Sequence, residues 1–297
     1  MTFVLAHLSD PHIGPLPKPR VRDLVGKRLT GYLNWQRRDK IHDMDVLSRL
    51  VDDMQAHRPD HVMMTGDVMN IGLPAEFPAA ARWLRTLGEP HGVSFVPGNH
   101  DAYVRSSLQH LIQTFAPWTS SDGEHETSWP YLRVRGEVAL IGLTSGVPTG
   151  PFLASGRLGK DQRDRFAALL DETRARGLMR VVMIHHPPYR LGATPGRGLS
   201  DVRAFEKLIA RHGAELVVHG HNHRTQVFHL PAAGTTVPVV GVASASAVPG
   251  TPRHRAAYHL YRITAKGKGK WSIDGHVRGL LPGTREIGDL GPVPFKV

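Results

Sequence analysis

Short apolar runs that alternate with helical patterns constrain the fold of this chain more than any other feature. The runs 3–8, 61–65 and 93–96 are typical of buried strands, because polar or turn-forming residues follow each of them at once. Between the first two runs, residues 44–54 place apolar side chains at helical spacing. Strands that alternate with helices in this way predict βαβ units, in which the strands run parallel.

The chain beyond residue 225 has a different pattern. Four strand-like runs follow one another with no helical pattern between them, at 227–230, 237–242, 257–263 and 271–277. Such runs fit antiparallel pairing, and we expect residues 225–297 to complete a second sheet. The sequence therefore predicts an α/β fold, a four-layer αββα sandwich with two mixed β-sheets flanked by helices. No internal repeat or low-complexity linker divides the chain, so we expect a single domain over residues 1–297.

The composition excludes several kinds of site. The 297 residues include no cysteine, which excludes disulfides, thiolate zinc sites and cysteine nucleophiles. Any metal ion must be held by oxygen or imidazole ligands, and 19 histidines are available. The formal charge of +11 favours anionic partners. The first residues lack the basic region of a signal peptide and no apolar run approaches the roughly 20 residues of a membrane span, so we expect a cytoplasmic protein.

Residues 18–40 form an unusually basic segment. The segment holds eight Lys and Arg residues against two Asp residues, and Leu24, Leu29 and Leu33 lie at roughly helical spacing. One interpretation is a short surface helix with a solvated basic face. The other is a flap beside the active site that faces a phosphate group or an anionic membrane surface, because basic amphipathic segments bind such surfaces.

Five of the predicted strands end in residues that can bind metal ions. These residues are Asp10, His12, Asp67, Asn99, His185, His221 and His223. In an extended backbone, residues i and i+2 point to the same side, so Asp10 and His12 can bind one ion together. Seven ligands are too many for one tetrahedral ion and suit two ions with open positions for water and substrate. Imidazole with carboxylate and amide oxygen favours zinc, iron or manganese over magnesium or calcium.

The order of these residues resembles the motif series of the calcineurin-like metallophosphoesterases. The matching motifs are Asp10-x-His12, Gly66-Asp67, Gly98-Asn99-His100-Asp101, His185 and Gly220-His221-x-His223, over residues 3–223. The resemblance implies a first ion held by Asp10, His12 and His223. It also implies a second ion held by Asn99, His185 and His221, with Asp67 bridging the two. We choose His185 rather than His186 as the ligand because His185 directly ends its strand.

The same resemblance implies a mechanism and a branch of the family. Direct attack of a metal-bound hydroxide would hydrolyse a phosphate ester without a covalent enzyme intermediate. His100 would steady a phosphoryl oxygen or protonate the leaving alkoxide, and Asp101 would orient the His100 ring. Residues 66–77 and 185–188 resemble the class III cyclic-nucleotide phosphodiesterase branch. We therefore expect a phosphodiesterase that acts on small organic phosphodiesters or cyclic nucleotides.

Three other functions stay open on the sequence alone. A membrane-associated pyrophosphatase of nucleotide-sugar or lipid-linked substrates would use residues 18–40 for docking. A nuclease would fit the positive charge, but the chain shows no additional nucleic-acid-binding domain, so we do not expect a nucleic-acid partner. A scaffold without enzymatic activity would keep the fold but would have lost ligand residues.

Substrate choice is expected to depend on three loops, 14–40, 116–130 and 187–200. In the last of these, the candidate substrate contacts are Tyr189, Arg190 and Arg197. The cluster Glu124-His125-Glu126 is interpreted as a plain surface loop. His219 is interpreted as a core histidine or one that supports the ligands.

Overall fold

The computed structural model describes residues 2–37, 41–248, 255–267 and 269–295. Its strands are β1 (Thr2–Leu8), β2 (His61–Met64), β3 (Val93–Phe95), β4 (Tyr131–Arg135), β5 (Val138–Gly142), β6 (Met179–Met183), β7 (Leu216–His219), β8 (Gln226–Ala232), β9 (Thr235–Gly241), β10 (Ala257–Gly267), β11 (Lys270–Leu280) and β12 (Ile287–Pro292). Its α-helices are α1 (Lys27–Gln36), α2 (Met44–Ala56), α3 (Glu76–Thr86), α4 (Ser107–Thr119), α5 (Lys160–Ala175) and α6 (Val202–His212).

The strands form two six-stranded sheets. The first sheet has the order β12-β11-β10-β1-β2-β3, in which β1, β2 and β3 run parallel. The second has the order β4-β5-β6-β7-β9-β8, in which β5, β6, β7 and β9 run parallel. The remaining pairs in both sheets are antiparallel. Both sheets are therefore mixed.

Three apolar clusters hold the layers together. Between the sheets, Leu5 of β1 belongs to the same cluster as Leu140 of β5. On the outer side of the first sheet, α2, α3 and α4 bury residues such as Leu50. On the outer side of the second sheet, Phe166 of α5 and Phe205 of α6 stack with ring centres 5.9 Å apart. The predicted α/β architecture, with two mixed sheets flanked by helices, is confirmed.

Asp43 begins α2. Its carboxylate accepts hydrogen bonds from the backbone N–H groups of Asp45 and Val46 at 2.9 and 3.2 Å. These bonds satisfy two N–H groups that the start of a helix leaves unpaired. Val46, Leu50 and Met54 recur every four residues and are buried. The helix predicted here is confirmed, because the cap fixes its start and the apolar face fixes its orientation.

The chain after residue 225 is divided between the two sheets. β8 and β9 join the second sheet, whereas β10, β11 and β12 extend the first. β10 pairs antiparallel with β1, from Thr2 opposite Thr264 to His7 opposite His259. The prediction that residues 225–297 complete one second sheet is therefore wrong. An apolar alternation identifies a strand and its buried face, but it does not identify the neighbouring strand.

β4 and β12 were not predicted, because each carries residues that are unusual in strands. Arg133 in the middle of β4 is only 4% exposed. Its guanidinium donates hydrogen bonds to the carbonyl groups of Pro90, Val93, Pro117 and Ser120, so four of its five N–H groups are paired. β12 contains two glycines and an aspartate, which strands disfavour, and it forms by pairing with β11 at the edge of the sheet.

The end of α4 corrects the predicted loop 116–130. α4 continues to Thr119 with Pro117 inside it, so the first residues of that loop are helical. Trp118 is fully buried and its ring centre lies 6.4 Å from that of Phe115. Burial of the large indole offsets the backbone hydrogen bond that proline cannot donate.

The basic segment 18–40 contains a 3₁₀ turn, Val21–Asp23, followed by α1. Arg38, Asp39 and Lys40 lie outside the described residues. In the part of the chain that the structure describes, no helix is both long and apolar enough to cross a membrane.

His61 begins β2 as a buried, uncharged side chain. The residue is 1% exposed, and its Nε2 lies 2.8 Å from Ser94 Oγ. Burial, together with Arg135 and Arg133, lowers the pKa of His61 to about 3. In an unfolded chain the pKa of histidine is about 6.5. As the pH falls below that value, the unfolded chain takes up a proton that the folded protein does not, and stability is lost towards pH 3.

We expect His61→Gln to reduce the pH dependence of stability. Between pH 6 and 5, the free energy of unfolding of the variant should fall by about 1 kcal/mol less than that of the wild type, because one proton corresponds to about 1.4 kcal/mol per pH unit. Urea unfolding followed by circular dichroism at both pH values measures this difference. His57→Gln, at an exposed position that ends α2, should keep the wild-type pH dependence. If the free energy of unfolding of His61→Gln fell between pH 6 and 5 as much as that of the wild type, His61 would not be the source of this pH dependence.

Candidate metal centre

The side chains predicted to bind metal ions lie together at one edge of the sheets. They follow β1, β2, β3, β6 and β7, whose carboxyl ends meet there. The structure brings together Asp10, His12, Asp67, Asn99, His185, His221 and His223. Within this set, Asp10, His12 and His223 place one ligand atom each within 4.8 Å of one another, and so do Asp10, Asp67 and His185.

The distances between ligand atoms fit bound metal ions. At one end of the centre, Asp10 Oδ1 lies 3.2 Å from His223 Nε2. At the other end, His185 Nε2 lies 3.2 Å from Asn99 Oδ1 and 3.2 Å from His221 Nδ1. Neighbouring ligands of an ion that is bound at about 2.0–2.2 Å are about 3.0–3.5 Å apart. The donor set, imidazole with carboxylate and amide oxygen, also suits a transition metal.

Backbone carbonyl groups orient two of the histidines. His185 Nδ1 lies 2.7 Å from the carbonyl oxygen of Thr65, and His12 Nδ1 lies 3.2 Å from that of Met69. A carbonyl oxygen only accepts hydrogen bonds, so both Nδ1 atoms carry the proton. The Nε2 lone pairs are then available in the centre, which is how hydrogen bonds behind a metal-binding imidazole act.

Five of the seven candidate ligands have a left-handed backbone. The φ angle is 54° at Asp10, 42° at His12, 55° at Asp67, 68° at His221 and 53° at His223. Such angles are uncommon in residues other than glycine, and each costs about 1–3 kcal/mol. The extended backbone that was predicted to bring Asp10 and His12 together is therefore wrong, because the φ angles of both residues are positive. The side chains still converge, and the strain is concentrated at the site.

Two glycines leave room for the candidate ligands. A Cβ atom on Gly98 would overlap Asp67 Oδ1 and would lie 2.7 Å from the His185 ring. A Cβ atom on Gly220 would overlap Ser9 Oγ and Asp10 Oδ2. Glycine is required at both positions because the backbone of one loop passes directly over a side chain of another.

Asp101 joins the loops that follow β2 and β3. Its Oδ2 accepts hydrogen bonds from the N–H groups of Asp67 and Gly98 at 2.7 and 2.8 Å. Its Oδ1 accepts those of Val68 and Met69 at 3.0 and 3.1 Å. Burial and the nearby Asp67 carboxylate raise the pKa of Asp101 to about 7, while the N–H donors oppose this rise. Both oxygens are engaged by the backbone.

Glu76 holds the next part of the same loop. Its carboxylate accepts hydrogen bonds from the N–H groups of Asn70, Ile71 and Leu73 at 2.6, 3.2 and 2.8 Å. The residue is 4% exposed, and burial raises its pKa. Together, Asp101 and Glu76 fix residues 67–73 from two sides. We call residues 67–73 the clamped loop.

His100 is oriented by the clamped loop and not by Asp101. Its Nδ1 is hydrogen-bonded to the carbonyl oxygen of Asn70. Its backbone N–H donates to Asp67 Oδ1 at 2.7 Å, and its ring centre lies 4.7 Å from that of His12. The prediction that Asp101 orients the His100 ring is therefore wrong, since both oxygens of Asp101 bind backbone N–H groups. Nδ1 holds the ring, which leaves Nε2 for a ligand.

His186 and His219 lie beside the centre, and one nitrogen of His186 lies within 4.8 Å of ligand atoms of His185 and His221. The choice of His185 rather than His186 as the ligand, and the supporting role of His219, stay predictions. His186 Nδ1 lies 2.8 Å from Ser145 Oγ and its Nε2 lies 3.0 Å from the carbonyl oxygen of Ala154. Both nitrogens are thus engaged, although the ring lies 4.6 Å from that of His221. His219 is fully buried, and its Nδ1 lies 2.9 Å from the carbonyl oxygen of Gly220.

Buried carboxylates make the centre attractive to cations. Asp10 is 0% exposed and Asp67 is 2% exposed. Burial opposes ionisation, but His185 and the neighbouring histidines hold the pKa of Asp67 well below its usual range. Burial likewise opposes the charge on His185, yet Asp67 raises its pKa to about 9, and a metal ion at Nε2 would take the place of that proton. Asp10 Oδ1 is buried and accepts no hydrogen bond from the described residues, which is the environment of an oxygen that binds a metal ion.

A cavity of about 460 Å³ opens onto the centre. Residues of α1 and the turn after it form part of its wall, including Lys27, Trp35 and Arg37. We call residues 18–37 the cap segment. Its position beside the centre agrees with the flap interpretation, whereas a purely solvated basic face does not describe Lys27, which is 8% exposed.

The candidate substrate contacts are only partly at the cavity. Arg197 lines it. Tyr189 instead accepts a hydrogen bond from Gln226 at 2.6 Å and stacks on Phe228, and Arg190 pairs with Glu206 at 2.9 Å. Among the described residues that line the cavity, none belongs to 116–130, so a part for that loop in substrate choice stays a prediction.

Sequence reasoning did not single out three further residues of the cavity wall, Lys27, His42 and Tyr103. The His42 ring lies 4.7 Å from that of His12, but His42 follows no predicted strand. Lys27 lies four residues before Gly31, on the face of α1 that approaches Tyr103, and this approach is not visible in the sequence. A Cβ atom on Gly31 would overlap the Tyr103 hydroxyl.

Solved structures with the same fold include two phosphatases. A dimetal phosphatase from Danio rerio aligns with a TM-score of 0.61 and 14% identity, over 97% of this chain and 98% of that chain. The purple acid phosphatase PPD1 from yellow lupin, Lupinus luteus, aligns with a TM-score of 0.56 and 12% identity, over 94% of this chain and 52% of that chain. At these identities the likeness shows the fold.

Sequence comparison shows the family. A probable cyclic nucleotide phosphodiesterase of Synechococcus sp. is 30% identical over 227 residues, which are 75% of this chain and 74% of that protein. The glycerophosphodiester phosphodiesterase GpdQ of Enterobacter lignolyticus is 28% identical over 123 residues, 41% of this chain and 37% of that protein. The family model described as calcineurin-like phosphoesterase matches residues 3–225. The chain belongs to the calcineurin-like phosphoesterase family and is a hydrolase of phosphoric esters.

Proposed function

We propose that this protein is a phosphodiesterase that hydrolyses small organic phosphodiesters, including cyclic nucleotides, with two metal ions. The observation that carries the proposal is the convergence of seven candidate ligands, five of which line a cavity of about 460 Å³. The names of the two sequence relatives, both phosphodiesterases, support a diester rather than a monoester substrate. A volume of this size suits a small molecule.

We assign the ligands in two groups. Asp10, His12 and His223 would hold the first ion, and Asn99, His185 and His221 the second, with Asp67 between them. The distances of 3.2 Å within each group support this division. The nitrogen and oxygen donors favour manganese, iron or zinc. Two such ions would supply positive charge for the phosphate oxygens and lower the pKa of a water molecule.

His100 is proposed to act on the leaving group. Its ring is held through Nδ1 by the Asn70 carbonyl, so a proton on Nε2 can be presented to an oxygen in the cavity. Asp101 is proposed to act as a positioning residue, because it fixes the loops that carry Asp67 and Asn99.

Exposed aliphatic side chains favour a lipid surface as a second partner. Val21, Val25, Leu29 and Leu33 follow one another at intervals of four residues along the cap segment and are 92, 72, 45 and 50% exposed. Leu33 also lines the cavity, together with Phe152, which is 89% exposed. Burial of such side chains in a bilayer interface is favourable.

Exposed cations accompany this aliphatic stripe. They are Lys18, Arg20, Arg22 and Arg37. Aliphatic side chains flanked by cations are complementary to an anionic lipid surface, which supplies an apolar layer beneath negative headgroups. The substrate would then be an amphiphilic phosphodiester that reaches the cavity from that surface.

Metal removal tests the first proposal. Protein treated with EDTA should lose phosphodiesterase activity on bis-p-nitrophenyl phosphate, and manganese, iron or zinc should restore it with about two ions per chain. A panel of phosphomonoesters, diesters, cyclic nucleotides and pyrophosphates, together with metal analysis by mass spectrometry, measures the outcome. Hydrolysis of pyrophosphates but not of diesters would reject the assigned substrate class.

His100→Ala should lower kcat by about 10²–10⁴, which is the typical contribution of a general acid or base. Metal content should stay at the wild-type value, because the His100 ring is bonded to the Asn70 carbonyl rather than assigned to an ion. His110→Ala, at an exposed position of α4, is the matched control. A parallel loss of metal in His100→Ala would show that His100 is a ligand instead.

Vesicle binding tests the lipid surface. Wild-type protein should sediment with vesicles of equimolar phosphatidylglycerol and phosphatidylcholine. The double variant Val25→Glu and Leu29→Glu should reduce binding by about tenfold or more, since each aliphatic side chain contributes roughly 1 kcal/mol or more when buried. Leu290→Glu, at an exposed position of β12, should bind as the wild type does. Equal binding of all three proteins would exclude the cap segment as the docking surface.

A further inference from the structure

Lys27, the first residue of α1, is a buried cation that lines the cavity. It is 8% exposed. We propose that Lys27 binds a phosphoryl oxygen of the substrate, so that the cap segment supplies part of the phosphate-binding site. The inference rests on the proposed phosphodiesterase function and adds to it a residue outside the metal centre.

Local contacts fix the position of the ammonium group. Lys27 Nζ donates a hydrogen bond to Thr149 Oγ1 at 2.6 Å, and Thr149 Oγ1 donates to the carbonyl oxygen of Leu153 at 2.7 Å. Nζ also lies 4.5 Å from the centre of the Tyr103 ring, which attracts a cation through its face. An ammonium group has three N–H donors, and the Thr149 contact uses one of them.

Lys27 lies beyond ion-pair distance of every carboxylate in the described part of the chain, although Asp67 is close enough to act on its charge. No ion pair within 4.0 Å among the described residues includes Lys27. A buried cation without an anion is unfavourable, and burial lowers the pKa of Lys27 to about 8 although Asp67 opposes the shift. An aliphatic residue would fill the same space without this penalty. A bound anion would explain why a lysine lies there.

The cavity connects Lys27 to the metal centre. Asp67, His100 and Lys27 line the same space, and the Tyr103 ring beneath Lys27 lies 5.6 Å from the His100 ring. Asp67 and His100 both interact electrostatically with Lys27. A phosphoryl group that is bound at the metal centre would therefore meet the ammonium group from the side of the cap segment.

The neighbouring Arg28 attaches α1 to the clamped loop and does not line the cavity. Its guanidinium donates hydrogen bonds to the carbonyl oxygens of Ile71 and Gly72 and to Ser107 Oγ. These contacts attach α1 to the clamped loop. Because Arg28 anchors the helix, Lys27 is not required for that purpose.

Phosphate binding and diester hydrolysis test the inference together. In metal-loaded Lys27→Met, the Kd for inorganic phosphate measured by calorimetry and the KM for bis-p-nitrophenyl phosphate should both rise about tenfold or more, the range of a hydrogen bond to a charged group. Lys27→Gln, which keeps a donor for Thr149 but no charge, should show the same loss if Lys27→Met folds poorly. Lys207→Met, at an exposed position of α6 away from the cavity, should retain wild-type values.

The outcomes separate this inference from the proposed function. A Kd for phosphate within twofold of the wild type in both Lys27 variants would overturn the inference, even if the enzyme is an active diesterase. A loss of metal content equal to the loss of phosphate affinity would overturn it too. If the Lys27 variants bind phosphate more weakly than the wild type but the wild type hydrolyses no diester, the phosphate-binding role of Lys27 is supported and the phosphodiesterase function is rejected.

Discussion

The attachment of the clamped loop by two buried carboxylates is the interaction on which the rest of the site depends. Asp101 accepts four backbone N–H groups and Glu76 accepts three. A buried N–H group without a partner is unfavourable, so the six of these hydrogen bonds that come from residues 67–73 define one conformation for that loop. The seventh, from Gly98, ties it to the loop after β3. That conformation positions Asp67, the Asn70 carbonyl that holds His100, and the surface to which the cap segment is attached.

The same interaction explains how strain is tolerated at the centre. Five candidate ligands have left-handed backbones, and buried oxygen and nitrogen atoms approach one another to 3.2 Å. Such an arrangement persists only where the surrounding structure determines it. The hydrogen-bonded loops supply that constraint, and they arrange the ligand atoms around positions that suit a cation.

Much of the fold and most of the site could be predicted from the sequence, because apolar runs mark strands and polar clusters mark where they end. The convergence of His185 with Asn99 follows from that logic. The role of Asp101 does not, since its partners are backbone N–H groups of two different loops. Lys27 was also missed, because its burial depends on the contact of α1 with Tyr103, a neighbour 76 residues away in sequence. Contacts between distant segments leave little trace in local patterns.

The pairing of β1 with β10 has a consequence for how the site is assembled. Asp10 and His12 follow β1, which pairs with β2 on one side and with β10 on the other. β10 begins only at Ala257. Ser244 Oγ also donates to the carbonyl oxygen of Asp10 at 2.7 Å. During synthesis, the first ligands of the centre emerge early, but the segments that fix their backbone emerge last. A ribosome-bound chain that contains every candidate ligand, up to His223, would still present β1 as an open sheet edge, because β10 begins only at Ala257.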